Sequence, residues 1–171
     1  MSATPEQLLA RLGALGIEVT THRHPPLFTV EESKRLRGEL PGGHCKSLFL
    51  KDKKGTLWLL VALEDRPIDI KSLRRMLGAK GSLSFGKPEL LLEVLGVTPG
   101  AVTPFGLIND EDLQVTIVLD KAMLERDPLN YHPLTNEATT AIAARDLLRF
   151  IDDCGHQPVI LDLDSEVAKA R

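Results

Sequence analysis

Residues 46–63, KSLFLKDKKGTLWLLVAL, decide the fold class of this chain. They hold two apolar runs, KSLFLK at 46–51 and TLWLLVAL at 56–63, on either side of the polar turn Asp52-Lys53-Lys54-Gly55. Such a pattern predicts an antiparallel hairpin that is buried on both faces. A sheet that contains this hairpin cannot be all parallel.

Helices and further strands alternate around the hairpin. Capping signals and apolar stripes predict helices at 4–16, 29–36, 69–78, 88–96 and 143–155, and a helical turn after Asp120. Alternating or apolar runs predict strands at 17–22, 82–85, 113–119, 139–142 and 159–163. The stretch 97–107 (VTPGAVTPFGL) has too many Pro and Gly residues for regular structure. We therefore expect a mixed α/β fold with a strongly curved, barrel-like mixed sheet flanked by helices.

Length and composition indicate an ordinary globular protein. The chain has 171 residues, 43% of them hydrophobic and 26% charged, which suits a single domain spanning 1–171 and excludes a disordered chain. No apolar run approaches the roughly 20 residues of a membrane span, and charged residues interrupt the first fifteen positions, so we expect a cytoplasmic location. Two cysteines, Cys45 and Cys154, cannot form a disulfide framework.

Basic residues concentrate in one segment of this acidic chain. Between Lys34 and Lys87 there are 13 Lys and Arg against 5 Asp and Glu, although the whole chain has a net charge of -3. This contrast favours a surface that meets polyanions, while the alternative is a set of basic residues on solvent-exposed helices. With only seven aromatic residues in apolar settings, a nucleic acid is expected to bind through its backbone or its end.

The common catalytic motifs are absent. The chain has no G-x-S-x-G, Walker A, G-x-G-x-x-G or H-E-x-x-H pattern. His22 and His24 have a spacing that a metal site can use, but a third ligand is missing, so we predict no metal and no cofactor. Cys45 lies next to Lys46, which would lower a thiol pKa, but a lone Cys at a strand start is more often a packing residue.

Lys46, the 99–106 loop and His132 are the candidate reactive positions. By strand alternation Lys46 shares a face with Leu48 and Leu50, so its ammonium either faces solvent or enters an apolar pocket, where it would hold a phosphate or polarise a carbonyl. The loop PGAVTPFG presents backbone N–H groups to a substrate oxygen or serves as a rigid crossover. Pro133 holds His132 in an extended conformation.

Taken together, these stretches resemble the YbaK/prolyl-tRNA synthetase associated domain family of trans-acting aminoacyl-tRNA deacylases. The resemblance rests on His24-Pro25, TVEE at 29–32, KSLFL at 46–50, GVTPGAVTPFG at 96–106 and HPL-x-N at 132–136, in the family's order. It implies the family's curved α/β fold, and hydrolysis of alanine mischarged onto tRNA(Pro) without a metal. Deacylation of another small amino acid, a non-catalytic nucleic-acid-binding module and a small-molecule-binding protein are the alternatives.

The resemblance also implies roles for individual residues. Catalytic roles fall on Lys46, Gly100 and His132. Substrate-binding roles are expected for Thr29, Ser47, Ser84, Ala101, Phe105, Gly106 and Asn136. The basic segment, in turn, is expected to bind the acceptor stem through Lys51, Lys53, Arg74, Arg75 and Lys80. Relatives often have Asn where this chain has Ser47. The cysteine-specific branch has glycine where this chain has Ala101, which favours alanine. The implied partners are the acceptor stem of charged tRNA(Pro) and, transiently, prolyl-tRNA synthetase.

Overall fold

The computed structural model describes residues 2–26, 35, 38 and 40–164. The strands in this part are β1 (Val19–Arg23), β2 (Gly43–Lys51), β3 (Leu57–Leu63), β4 (Ser84–Phe85), β5 (Val115–Asp120), β6 (Leu129–Tyr131), β7 (Ala138–Ile142) and β8 (Val159–Leu161). The α-helices are α1 (Pro5–Ala14), α2 (Ile70–Leu77), α3 (Pro88–Leu95) and α4 (Ala144–Asp153). Short 3₁₀ helices span Pro99–Ala101, Pro104–Asn109 and Met123–Glu125.

The predicted hairpin lies at the centre of the sheet. β2 and β3 pair antiparallel, and the strand order is β1-β7-β6-β2-β3-β5-β8, with β4 paired to β2. The pairs β2–β6, β3–β5 and β5–β8 are parallel, whereas the others are antiparallel. The sheet is therefore mixed and flanked by helices, and the expected fold class is confirmed.

The two faces of the hairpin contribute to two different apolar clusters. Phe49 and Leu59, which are opposite each other, pack into a cluster that also contains Phe105 and Phe150. Leu50, opposite Trp58, packs into a second cluster against α2 and β5. Burial on both faces explains why the hairpin sequence is continuously apolar.

Two helices begin or end where the local capping signals predict. Thr4 and Gln7 form a reciprocal capping box at the start of α1, with Gln7 N donating to Thr4 Oγ1 at 3.1 Å. Asp69 caps α2, which ends at Gly78 with φ 66°. The left-handed backbone at Gly78 explains the choice of glycine there. In the described part of the chain, no helix has both the length and the apolar character of a membrane span.

The structure differs from the predicted secondary structure in three places. The stretch 97–107 is not irregular, because Pro99 and Pro104 each begin a 3₁₀ helix. The sequence does not predict β6, which is only three residues long and follows Pro128. β2 begins three residues earlier than predicted because it pairs with β6 there. The helix predicted at 29–36 lies outside the described residues, except for position 35.

Candidate active site

No described strand pairs with the middle of β2 along one of its edges. On the other edge, residues 45–51 pair with β3. On the open edge, β6 pairs with residues 43–44 and β4 pairs with residues 50–51. Residues 45–49 therefore have no register partner on this edge in the described strands. We call this opening the β2 gap.

Hydrogen bonds show which backbone groups point into the β2 gap. The Gly43 N–H donates to Pro128 O at 2.8 Å, and the Phe49 carbonyl accepts from Gly86 N at 2.9 Å. Because the backbone groups of successive strand residues point to alternate edges, those of Ser47 have the same direction as those of Gly43 and Phe49. Ser47 thus presents an N–H and a carbonyl to whatever occupies the gap, and its own side chain is half-buried.

Lys46 lies in the β2 gap, and its side chain is on the face of the second cluster. It is opposite Ala62, as Leu48 is opposite Leu60, so the predicted shared face of Lys46 and Leu48 is confirmed. The residue is half-buried, and its ammonium donates a hydrogen bond to the main-chain carbonyl of Arg66. No carboxylate among the described residues forms an ion pair with Lys46. An ammonium has three N–H donors, and no described residue accepts a hydrogen bond from the other two.

Arg66 holds the carbonyl that orients Lys46. Its guanidinium donates to the buried Asp120 at 3.0 Å and to Asp164 at 2.6 and 3.2 Å. The hydrogen bond from Arg66 lowers the pKa of the Asp164 carboxyl. Arg66 also lines a cavity of about 390 Å³ together with Gly42, Gly43, His44, residues 63–65, Pro67 and Arg126. The ammonium of Lys46 is therefore bonded to the main chain of a residue that lines this cavity and whose side chain is held by two carboxylates.

His132 directly follows β6. Gly43 is opposite Leu129 and His44 is opposite Asn130, so Lys46 and His132 are each two residues beyond the last pair of this register. His132 Nδ1 lies 3.1 Å from Ala138 O, and because a carbonyl only accepts, Nδ1 carries the proton. Burial lowers the pKa of His132, so the ring is neutral near pH 7 and Nε2 has a free lone pair. This arrangement suits a general base.

His24 does not have a free nitrogen for a metal. Its Nδ1 lies 2.8 Å from Pro25 O and therefore donates, while Nε2 accepts from the Thr139 hydroxyl at 2.9 Å. The rings of His22 and His24 are 6.1 Å apart. Among the described residues, no group of three His, Cys, Asp or Glu side chains forms a metal site.

The loop at 97–107 is anchored in the core from behind. Phe105 is fully buried and contacts Tyr131 and Phe150 edge to face, at ring distances of 5.9 and 5.4 Å. Gly106 packs so closely on Leu95 that a Cβ would lie 3.1 Å from the Leu95 Cβ. Both residues are buried and support the loop from behind, and contact of either one with a ligand stays a prediction.

The exposed side of this loop meets the turn after His132. Gly100 is exposed, and a Cβ there would lie 3.3 Å from Asn136 Nδ2. Ala101, the next residue, is buried. The structure thus brings Gly100, Ala101 and Asn136 together, but no hydrogen bond between described residues connects them to Lys46 or His132. Ser84 is exposed on β4 opposite Lys51, and Thr29 lies outside the described residues.

The predicted tRNA-binding residues lie at the turn of the hairpin and on α2. The buried carboxylate of Asp52 accepts from the N–H groups of Lys54, Thr56 and Lys80, each at 2.9 Å. The backbone hydrogen bond from Lys80 is the largest cause of the lowered pKa of Asp52. In addition, Lys53 N donates to Lys80 O, and Arg74 Nε donates to Gly81 O. We call the residues Lys51, Lys53, Arg74, Arg75 and Lys80 the basic patch.

Asp52 and Arg66 are the residues that the sequence does not single out. Asp52 in DKKG predicts only a local turn, yet it also joins the turn to Lys80. Arg66 acts on Lys46 through a main-chain carbonyl, which any residue type has, so no sequence signal identifies it.

The cysteines do not supply a nucleophile. Burial raises the pKa of the Cys45 thiol to about 12 and that of Cys154 to about 11. The thiolate, which is the reactive form, is therefore rare near neutral pH. The alternative in which Lys46 activates Cys45 is wrong, and Cys45 is a packing residue in the first cluster.

Comparisons with known proteins identify the family. A family model described as "Aminoacyl-tRNA editing domain" matches residues 24–150. "Prolyl-tRNA synthetase associated domain-containing protein 1" of Mus musculus is 42% identical over 162 residues, which are 92% of this chain and 95% of the relative. "Prolyl-tRNA editing protein ProX" of Acetoanaerobium sticklandii is 36% identical over 152 residues, covering 88% and 92% of the two chains.

A solved structure shares the fold over nearly the whole chain. It is described as a candidate trans-editing enzyme for prolyl-tRNA synthetase, and it superposes with a TM-score of 0.69 at 22% identity, covering 95% of this chain and 97% of that one. The match to the family model covers most of the chain, including Lys46, Gly100 and His132. The chain therefore belongs to the aminoacyl-tRNA editing domain family and is an aminoacyl-tRNA deacylase, a hydrolase of the ester bond between an amino acid and its tRNA.

Proposed function

We propose that this chain is a trans-editing enzyme that removes alanine from mischarged tRNA(Pro), releasing alanine and free tRNA. The names of its relatives support editing of prolyl-tRNA, and Ala101 supports alanine over cysteine. In this proposal, residues 1–171 act as one editing domain in the cytoplasm, with only transient contact to prolyl-tRNA synthetase. The single observation that carries it is the ammonium of Lys46, which is half-buried, donates to the main-chain carbonyl of Arg66 and has no carboxylate partner among the described residues.

Lys46 supplies positive charge where the reaction develops negative charge. Water adds its oxygen to the ester carbonyl carbon, and the carbonyl oxygen becomes an oxyanion. The free donors of Lys46 and backbone N–H groups near Gly100 stabilise this oxyanion or orient the terminal phosphate that positions it. The bond between the carbonyl carbon and the ribose oxygen then breaks, and the oxygen takes a proton to become the hydroxyl of the tRNA. The ester is already activated, so no Ser or Cys nucleophile is required.

Two groups are suited to take the proton from the attacking water. Nε2 of His132 has a free lone pair, because Nδ1 holds the proton in its hydrogen bond to Ala138. The 2′-hydroxyl of the tRNA itself is the second group, acting with or through this histidine. The lowered pKa of His132 keeps it in the base form at neutral pH.

Size selects the amino acid. A synthetase pocket shaped for proline excludes the smaller alanine weakly, because each missing methylene changes binding by only about 1–3 kcal/mol. A second pocket that is too small for proline corrects these errors. Ala101 and the half-buried Ser47 are the small side chains that we assign to this pocket, together with Thr29 and Asn136. Phe105 and Gly106 hold its loop in place.

The basic patch binds the phosphates of the acceptor stem. Lys80 N donates to the carboxylate of Asp52, and Lys53 N donates to Lys80 O. The backbones of Lys53 and Lys80 therefore lie close together, so their charges act on the same stretch of phosphates. Binding by phosphate neutralisation releases counterions, and affinity then falls as salt rises. Ser84, which is opposite Lys51 on β4, is assigned a contact with the end of the tRNA.

A panel of charged tRNAs tests the proposal. Purified protein is incubated with tRNA(Pro) carrying alanine, serine, cysteine or proline, and the remaining ester is measured over time against a reaction without protein. We expect Ala-tRNA(Pro) to be hydrolysed fastest and Pro-tRNA(Pro) to be spared. If the cysteinyl or seryl form were hydrolysed faster than Ala-tRNA(Pro), that amino acid and not alanine would be the substrate. Hydrolysis of Pro-tRNA(Pro) as fast as Ala-tRNA(Pro) would refute selection by size.

A further inference from the structure

Phe85 differs in its exposure from the other Phe, Tyr and Trp side chains that the structure describes. It is 64% exposed, whereas Phe49, Trp58, Phe105, Tyr131 and Phe150 are each at most 6% exposed. Single exposed apolar residues are common. A largely exposed aromatic ring, however, leaves a large apolar area in water unless a binding partner covers it.

The position of this ring is fixed by close packing of β4 on β2. Phe85 is opposite Leu50, and Gly86 lies against the Phe49 ring so tightly that a Cβ would come within 2.3 Å of it. Gly86 N also donates to Phe49 O at 2.9 Å. The ring therefore stands on a rigid backbone and keeps its exposure without a mobile loop.

Phe85 and Lys46 lie on the same face of β2. Directly opposite residues of an antiparallel pair share a face, and Leu50 is four residues from Lys46 on that face. At roughly 3.3 Å per residue the two positions are about 13 Å apart along the strand. Stacked nucleotides advance by about 3.4 Å, so this distance corresponds to a few nucleotides of a single strand.

Cations lie near the ring along the chain. Exposed Lys87 follows Phe85 by two residues, whereas Lys51, opposite Ser84, is on the other face of the sheet because strand residues alternate between faces. The rest of the basic patch adjoins β2 through the turn at Asp52, whose own carboxylate is buried in hydrogen bonds to main-chain N–H groups. An exposed aromatic ring that is followed by a lysine and adjoins a basic patch matches the surfaces that bind single-stranded nucleic acids by stacking and phosphate contacts.

We propose that Phe85 is a stacking platform for a base in the unpaired 3′ end of tRNA, with Lys87 contacting an adjacent phosphate. The aminoacyl ester is then at Lys46 and an upstream nucleotide of the same single strand is on Phe85. This inference rests on the proposed function for the identity of the strand. The charge of this surface predicts only that it binds phosphates, and stacking on Phe85 adds a contact with a base.

Kinetics with two substrates tests the stacking. With Ala-tRNA(Pro), Phe85→Ala is expected to raise KM roughly 5- to 100-fold, as the loss of one stacked base predicts, and to change kcat less than about twofold. With alanyl-adenosine, which lacks upstream nucleotides, the variant should equal the wild type. Phe85→Tyr should retain low KM, whereas Phe85→Leu should resemble Phe85→Ala. Leu92→Ala is the matched control, because Leu92 is 54% exposed on α3 and lies outside the basic patch.

A binding measurement separates this inference from the proposed function. Phe85→Trp places an exposed indole at the site, and a hairpin RNA with a single-stranded CCA tail should quench its emission, whereas a blunt hairpin should not. Because no ester is involved, this result is independent of deacylation. An unchanged KM in Phe85→Ala, or equal quenching by both RNAs, would overturn the stacking role even if the wild type deacylates Ala-tRNA(Pro). An effect seen only when a synthetase is added would assign Phe85 to a protein contact and also overturn it.

Discussion

Replacing Phe105 measures how firmly the core holds the loop at 97–107. The ring is fully buried and makes edge-to-face contacts with Tyr131 at 88° and with Phe150 at 80°. Phe105→Ala should lower the free energy of unfolding by about 3–5 kcal/mol, as truncation of a buried aromatic does. Phe105→Leu retains most of the apolar volume but loses both ring pairs at about 0.5–1.5 kcal/mol each, so we expect a loss of about 1–3 kcal/mol.

Urea unfolding followed by circular dichroism provides the assay. The midpoint should shift with an unchanged slope, and each kcal/mol should lower Tm by about 2–4 °C in a chain of this length. Phe85→Leu is the matched control, since the same substitution at a 64% exposed site should cost at most about 0.5 kcal/mol. Equal costs at the two sites, or a Phe105→Leu variant as stable as the wild type, would refute the anchoring role.

Two further predictions concern activity. Because only the neutral ring of His132 accepts a proton, kcat/KM should fall as pH drops through a value below 6.5. His132→Asn keeps a donor for Ala138, but its kcat/KM should be lower by roughly 10²–10⁴-fold and should lack this acid limb. A variant that keeps the acid limb contradicts the role. Substitution of both Lys53 and Lys80 by Ala should make the slope of log(kcat/KM) against log[salt] shallower by roughly one to two, because phosphate contacts are lost. Lys121→Ala, at an exposed site outside the basic patch, should leave the slope unchanged. Identical slopes in the wild type, the double variant and Lys121→Ala would show that the basic patch does not bind tRNA.

Local sequence signals were sufficient for much of the fold. The capping box at Thr4, the glycine end of α2 at Gly78 and the DKKG turn of the hairpin each involve residues within a few positions of one another. Alternation along β2 was also enough to put Lys46 on the face of Leu48. These features depend on backbone geometry and nearest neighbours, which a sequence shows directly.

Features that depend on distant partners were not predictable in the same way. β6 is three residues long and exists because β2 and β7 pair with it, and the early start of β2 has the same cause. The hydrogen bond from Lys46 to Arg66 spans 20 positions, and that from Lys80 to Asp52 spans 28. Motif resemblance selected Lys46 and His132 as residues, but the tautomer of His132 and the orientation of Lys46 follow only from tertiary contacts.

Single-turnover deacylation of Ala-tRNA(Pro) by Lys46 variants tests the central claim most directly. Removing one donor to a developing oxyanion costs about 10²–10³-fold in rate, so Lys46→Ala should show a loss of this size. Lys46→Arg retains the charge but not the shape of the ammonium and should recover only part of the rate. Lys121→Ala, which removes the same charge from an exposed site, should match the wild type. A Lys46→Ala enzyme that hydrolyses Ala-tRNA(Pro) at the wild-type rate would contradict the account.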